Sequence, residues 1–312
     1  MSEYSKILST IVLVSMLMGG AASNVAALSQ HRRNTTTQST PAASYPIPHP
    51  ISFRDVNGRG LLVRTWINGT GPFNFAVDTG AGATIIAPRV AEEANVARTN
   101  RSATIAGLTG TNTVAQHATL DSLAIGDSEN RLPAKGEVLI SSGLPEDLDG
   151  LIDPTEAFSP FGYEIDLPRR ELTAFDAKLD PVQTDHPPVD GAVVTWLRDT
   201  HSRRPFVTLD NGDRALLDTG SSLGLAVRDS NGASRNAAHS VRDVGGGRIS
   251  TRRGQTNIAI GSLTLQRIPT DFVTGADSDV PVLLGLAALR PFRLRFDPLH
   301  RLIEIAPESR QR

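Results

Sequence analysis

The tripeptide Asp-Thr-Gly occurs twice in this chain, as Asp78-Thr79-Gly80 and as Asp218-Thr219-Gly220, 140 residues apart. The first copy closes the apolar run Phe73-Asn74-Phe75-Ala76-Val77 and the second closes Ala215-Leu216-Leu217. Each copy puts a carboxylate at the end of a buried strand-like run, beside a hydroxyl that can orient it and a glycine that admits close approach of backbone or ligand. Two such carboxyls brought together can share a proton, which makes one an acid and the other a base. The spacing therefore asks for a duplicated fold whose halves meet.

The flanking sequence supports duplication. In the first half Ile51 to Val56, the turn Asn57-Gly58 and Leu61 to Ile67 read as a hairpin, and Asn68-Gly69-Thr70-Gly71-Pro72 turns into the strand before Asp78. Thr84 to Ala87 reads as a short strand, and Pro88 to Val96 as a short helix with proline in its first turn. Residues 101 to 125 read as two strands around Gly107-Leu108-Thr109-Gly110, followed by Leu151-Ile152-Asp153-Pro154, a helical turn over Thr155 to Phe158, and two closing strands, Tyr163 to Leu167 and Glu171 to Phe175. The second half repeats this order. Val193 to Leu197 and Pro205 to Leu209 are strand-like, Asn211-Gly212 turns toward Asp218, and Val241 to Thr251 carries Gly245-Gly246-Gly247. Val282-Leu283-Leu284-Gly285, a short helix at Leu286 to Leu289 and strands at Phe292 to Phe296 and Arg301 to Ile305 complete it. The closing turns at Asp166 and Asp297 are 131 residues apart, close to the spacing of the tripeptides.

Composition narrows the function classes. A net charge of -2 and 5% aromatic residues give no electrostatic or stacking case for a nucleic-acid partner. Cysteine is absent, which removes thiolate metal sites, disulfides and a cysteine nucleophile together. The seven histidines are scattered without paired helical spacing, so no zinc site is expected. At the amino terminus Lys6, the apolar stretch Ile7 to Met18 and the small residues that follow have the layout of a secretory signal peptide over residues 1–27, with a retained anchor as the alternative. The reading is an exported chain, periplasmic or secreted, with no stable membrane span after cleavage. Residues 28–49, rich in Thr, Ser and Pro, read as a flexible linker or pro-segment. The body divides into a first lobe at 50–176, a linker at 177–190, a second lobe at 191–306 and a tail at 307–312.

Together, the two Asp-Thr-Gly loops, the glycine-bearing hairpins and the hydrophobic-hydrophobic-Gly run before a helical turn resemble the aspartic peptidases over residues 51 to 306. The first loop, Val77 to Thr84, is similar to the bacterial retropepsin-like version, and the second, Leu217 to Ser222, to the pepsin-like version. The resemblance implies a mainly β, two-lobed aspartic-protease fold of the double-psi β-barrel kind, a monomer with its active site between the lobes. It implies an endopeptidase that needs no metal or cofactor, takes polypeptide substrates, and activates water between Asp78 and Asp218. It gives Thr79 and Thr219 the role of cross-bracing the loops, Gly80 and Gly220 that of close approach, and Gly107, Gly110, Gly245, Gly246 and Gly247 that of flap tips. Ser221, where the first loop has Ala81, is expected to donate its hydroxyl to Asp218 and hold it as the more readily ionised member. One departure stands out: Asp153 occupies the position of the second half's Gly285. The alternative function is a non-catalytic protein of this fold that binds extended peptides. Gly220-Ser221-Ser222-Leu223-Gly224 also fits a serine-hydrolase nucleophile elbow, but a strand rather than a helix is expected after it.

Overall fold

A computed structural model describes residues 45–106, 112–133, 136–197, 199, 203–228, 239–242, 248–274 and 281–308. The chain is mainly β, with three sheets and, among the described residues, three short helices. The signal-peptide reading lies outside the described residues, as do both candidate flap tips, Gly107 with Gly110 and Gly245 to Gly247.

The first lobe is built on a nine-stranded sheet. Gly60–Ile67 and Thr70–Val77 form an antiparallel hairpin, buried on both faces at the end that leads to Asp78, with Leu61 opposite Val77 and Val63 opposite Phe75. On its far side Thr70–Val77 pairs in parallel with Gly150–Ile152, so Ile152 lies beside Val77. The second lobe repeats this core in a seven-stranded sheet: Arg214–Asp218 pairs in parallel with Val282–Gly285, and Leu284 lies beside Leu217. Both sites thus sit where a strand ends against a parallel neighbour, an arrangement that only long-range pairing creates. The expected helix after Pro88 is shorter than its apolar spacing suggests, covering Pro88–Glu93. Two strands not anticipated from sequence, Glu137–Ile140 and Leu263–Thr274, complete the lobes and receive the hairpin arms Asn112–Thr119 and Arg248–Ile260.

A third, six-stranded sheet joins the halves. The closing hairpins do not remain within their own lobes: Gly162–Asp166 pairs with Phe292–Asp297, placing Tyr163 opposite Phe296 and Ile165 opposite Leu294. This sheet also corrects the expected first hairpin. Ile51–Ser52 pairs with Glu171–Phe175, and only Arg54–Val56 folds back on Gly60–Ile67. The segment enters from the shared sheet and changes partner at Phe53, whose side chain is buried.

One continuous core runs from the first lobe through the shared sheet into the second, with Phe75, Tyr163, Phe296 and Leu217 all at 0% exposure. Phe158, Tyr163 and Phe296 stack in sequence, and Trp196 meets Phe296 edge-on. An Arg290–Asp55 ion pair, with N–O distances of 2.6 and 3.0 Å, adds a polar tie between the helix Leu286–Leu289 and the first-lobe strand Arg54–Val56.

Candidate active site

Asp78 directly follows Thr70–Val77, and Asp218 is the last residue of Arg214–Asp218. Both are only 1% exposed. The two Asp-Thr-Gly loops lie against one another and are laced by four hydrogen bonds. The Thr79 amide donates to Thr219 Oγ1 and the Thr219 amide to Thr79 Oγ1, each at 3.1 Å. In turn the Thr79 hydroxyl donates to the Leu217 carbonyl at 2.6 Å and the Thr219 hydroxyl to the Val77 carbonyl at 2.9 Å. Each threonine therefore accepts from the opposite tripeptide and donates to the strand that delivers it.

The glycines supply the close approach. A Cβ on Gly80 would lie 2.7 Å from Asp218 Cγ, and one on Gly220 would lie 2.3 Å from Asp78 Cγ. Each carboxyl thus packs over the opposite loop's glycine, a position that even alanine would obstruct. The amides of Gly80 and Gly220 turn back to their own carboxyls, donating to Asp78 Oδ1 at 2.8 Å and Asp218 Oδ1 at 2.9 Å.

Burial pushes both carboxyls upward, Asp78 to about 6 and Asp218 well above the usual carboxylate range, and each acts on the other. Hydrogen bonds from Gly80 and from the neighbouring carboxyl restrain the rise at Asp78, whereas Asp218 also faces the charge of Asp78. Asp218 Oδ2 receives no hydrogen bond, leaving an oxygen to carry a proton. The pair is therefore suited to share one proton at mildly acidic pH. The hydrogen bond expected from the Ser221 hydroxyl to Asp218 is not formed. The Ser221 amide donates to Asp218 Oδ1 at 3.1 Å, but its hydroxyl accepts from the Leu223 amide at 3.3 Å instead of serving the carboxyl.

Gly285, the last residue of its strand, and Asp153, which follows Gly150–Ile152, occupy matching places at the ends of the two parallel strands, as the sequence suggests. At Gly285 a Cβ would come within 2.5 Å of the Leu223 carbonyl and 2.8 Å of the Ser221 carbonyl, so only glycine passes under that loop. In the first lobe the Asp153 amide reaches the Thr84 hydroxyl at 3.2 Å, whereas the Gly285 amide bonds to the Gly224 carbonyl at 2.8 Å. Asp153 caps the helix Pro154–Ala157, accepting from the Thr155 amide at 2.9 Å. The signal was legible as an Asp-Pro-x-Glu helix start, with proline at the first helical position and Glu156 in the first turn. Nor is there a nucleophile elbow at Ser222: the chain continues as the strand Leu225–Arg228. Among the described residues no three acidic or histidine side chains are grouped as metal ligands, and no helix is long and apolar enough to cross a membrane.

Paired parallel strands and laced aspartyl loops are consistent with a mainly β aspartic-protease fold. Residues 63–137, which span the first loop and the first hairpin arms, match the family model described as gag-polyprotein putative aspartyl protease. The match supports a retropepsin-like aspartic peptidase family for this chain. No curated protein matches the sequence closely enough to be counted a relative. The family match supports an aspartic protease function in general terms.

Proposed function

We propose that this protein is an aspartic endopeptidase, exported and acting as a monomer on polypeptides outside the cytoplasm, with Asp78 and Asp218 as its catalytic pair. The observation that carries the proposal is the placement of two buried carboxyls across a four-bond lattice between their loops. Such a lattice fixes two groups that would otherwise repel, which a surface for peptide binding alone does not require.

The chemistry follows from the one-proton pair. Ionised Asp78 takes a proton from a water as its oxygen attacks the scissile carbonyl carbon, and protonated Asp218 donates to the carbonyl oxygen. The resulting diol collapses as Asp78 passes its proton to the amide nitrogen and a diol hydroxyl returns one to Asp218, so the C–N bond breaks and the pair regains its starting state. Thr79, Gly80, Thr219, Gly220 and Ser221 hold the geometry.

Incubating the purified protein with an unfolded polypeptide across about pH 3 to 7, with and without a statine-type transition-state mimic, tests the reading. Expected is cleavage that the mimic abolishes. Saturable binding of the polypeptide with no cleavage at any pH would establish the peptide-binding alternative.

A further inference from the structure

We propose that Asp153 is a positioning residue for the first Asp-Thr-Gly loop that works only as the uncharged acid, so that its ionisation withdraws support from Asp78. The activity readout of this inference rests on the peptidase function proposed above.

The argument begins with the asymmetry between the lobes. The second lobe closes the passage under its loop with Gly285, where no side chain fits. The first lobe places a carboxyl at the same point and buries it to 3% exposure. Through its carboxyl and its backbone amide together, Asp153 joins the helix Pro154–Ala157 to the loop. Its oxygen receives the Thr155 amide, while its own amide holds the hydroxyl of Thr84, which ends the loop that begins at Asp78. Glu156, in the first turn of the same helix, also lies near the Thr84 backbone. Immediately before Asp153, the Ile152 carbonyl accepts the Asp78 amide at 2.9 Å. The helix is fixed from behind by the 2.9 Å hydrogen bond between Thr155 Oγ1 and the Tyr163 hydroxyl. Movement of Asp153 is thereby transmitted directly to Asp78.

The groups around Asp153 oppose a charge on it. Asp78 faces it from the strand end and Glu156 from its own helix, while the Tyr163 hydroxyl, from the shared sheet, is itself held neutral by burial. The cation in this neighbourhood, Arg203, acts on Glu156, which also feels Glu137. Burial, then Glu156 and Asp78, push Asp153 up to about 7. Protonated, it remains a hydrogen-bond acceptor for the helix cap; ionised, it sets a second negative charge beside Asp78. Solvent is close by, because Thr155 lines a cavity of about 290 Å³ together with Asp199 and Arg203.

Asp153→Asn keeps an acceptor at the cap but cannot ionise. Its kcat/KM at about pH 5 should stay within roughly threefold of the wild type, and its alkaline limb should move up by about half a pH unit or more. Asp153→Gly, which copies the second lobe, should lower kcat at least about tenfold at every pH, with a smaller change in KM. A residue serving only to cap the helix would leave the alkaline limb of Asp153→Asn in place, and that result overturns the proposal. Two readouts do not depend on activity. The thermal midpoint of the wild type should fall more steeply than that of Asp153→Asn between about pH 4 and 7. Carboxyl carbon-13 shifts of the unaltered protein should show Asp153 titrating above about pH 6; a midpoint near 4 refutes the inference even if the protein cleaves nothing.

Discussion

Replacing Thr79 with valine tests the lacing of the two loops. The side chain is 0% exposed, and valine fills nearly the same volume without an oxygen. The substitution removes the bond from the Thr219 amide at 3.1 Å and the bond to the Leu217 carbonyl at 2.6 Å. Both partners then remain buried without those bonds, each at a cost of about 1–3 kcal/mol, so the loss should be about 2–6 kcal/mol. Urea unfolding of Thr79→Val in an Asp218→Asn background, which suppresses self-cleavage, measures it; Thr79→Ser, which keeps the hydroxyl, should lose much less. Because Thr219→Val breaks the mirror-image bonds of the same lattice, the double variant should lose less than the two single losses added together, by at least about 0.5 kcal/mol. A loss below about 1 kcal/mol for Thr79→Val, or strict additivity, would refute the view that the threonines act as one brace.

Three further outcomes follow from the same geometry. Gly220→Ala would place a methyl 2.3 Å from Asp78 Cγ, and should reduce kcat by about 100-fold or more with a smaller effect on KM, as steady-state kinetics would show. Since burial raises both carboxyls, their contribution to stability is greatest at acid pH and is lost as pH rises from about 4 through about 6; Asp218→Asn should therefore raise the thermal midpoint relative to the wild type at about pH 7 more than at about pH 4. Arg290→Ala breaks the bidentate tie to Asp55, but the arginine side chain is 40% exposed, so after solvent screening the loss should be only about 1 kcal/mol and should shrink in high salt.

The parts legible in the sequence were those governed by local pattern. Phe73 to Val77 and Ala215 to Leu217 announced buried strands, Pro88 a helix start and Asn211-Gly212 a turn, because alternation and turn chemistry act over a few residues. The residues of the site were legible for the same reason, as repeated tripeptides. Pairing between distant strands was not. Nothing in Tyr163 to Leu167 distinguishes a strand that stays in its own lobe from one that pairs with Phe292–Asp297, since alternation fixes a face but not a partner. Ile51–Ser52 was assigned to the wrong hairpin for that reason. The strand Leu263–Thr274 carries too many polar residues to declare itself, and is held by its two neighbours. Hydroxyl direction was equally hidden: Ser221 turns to the Leu223 amide, a choice made by loop geometry. Asp153 looked like an irregularity beside Gly285 and became intelligible only once its carboxyl was seen to cap a helix behind Asp78.

The central claim is that Asp78 and Asp218 form one catalytic unit sharing a single proton. It is tested most directly by measuring kcat/KM against pH on one peptide substrate for the wild type, Asp78→Asn and Asp218→Asn. The account predicts a bell for the wild type, with its alkaline limb near or above pH 6, and a loss of about 1,000-fold or more in either variant across the whole range. Retention of cleavage within about tenfold of the wild type by either variant, at any pH, would contradict it.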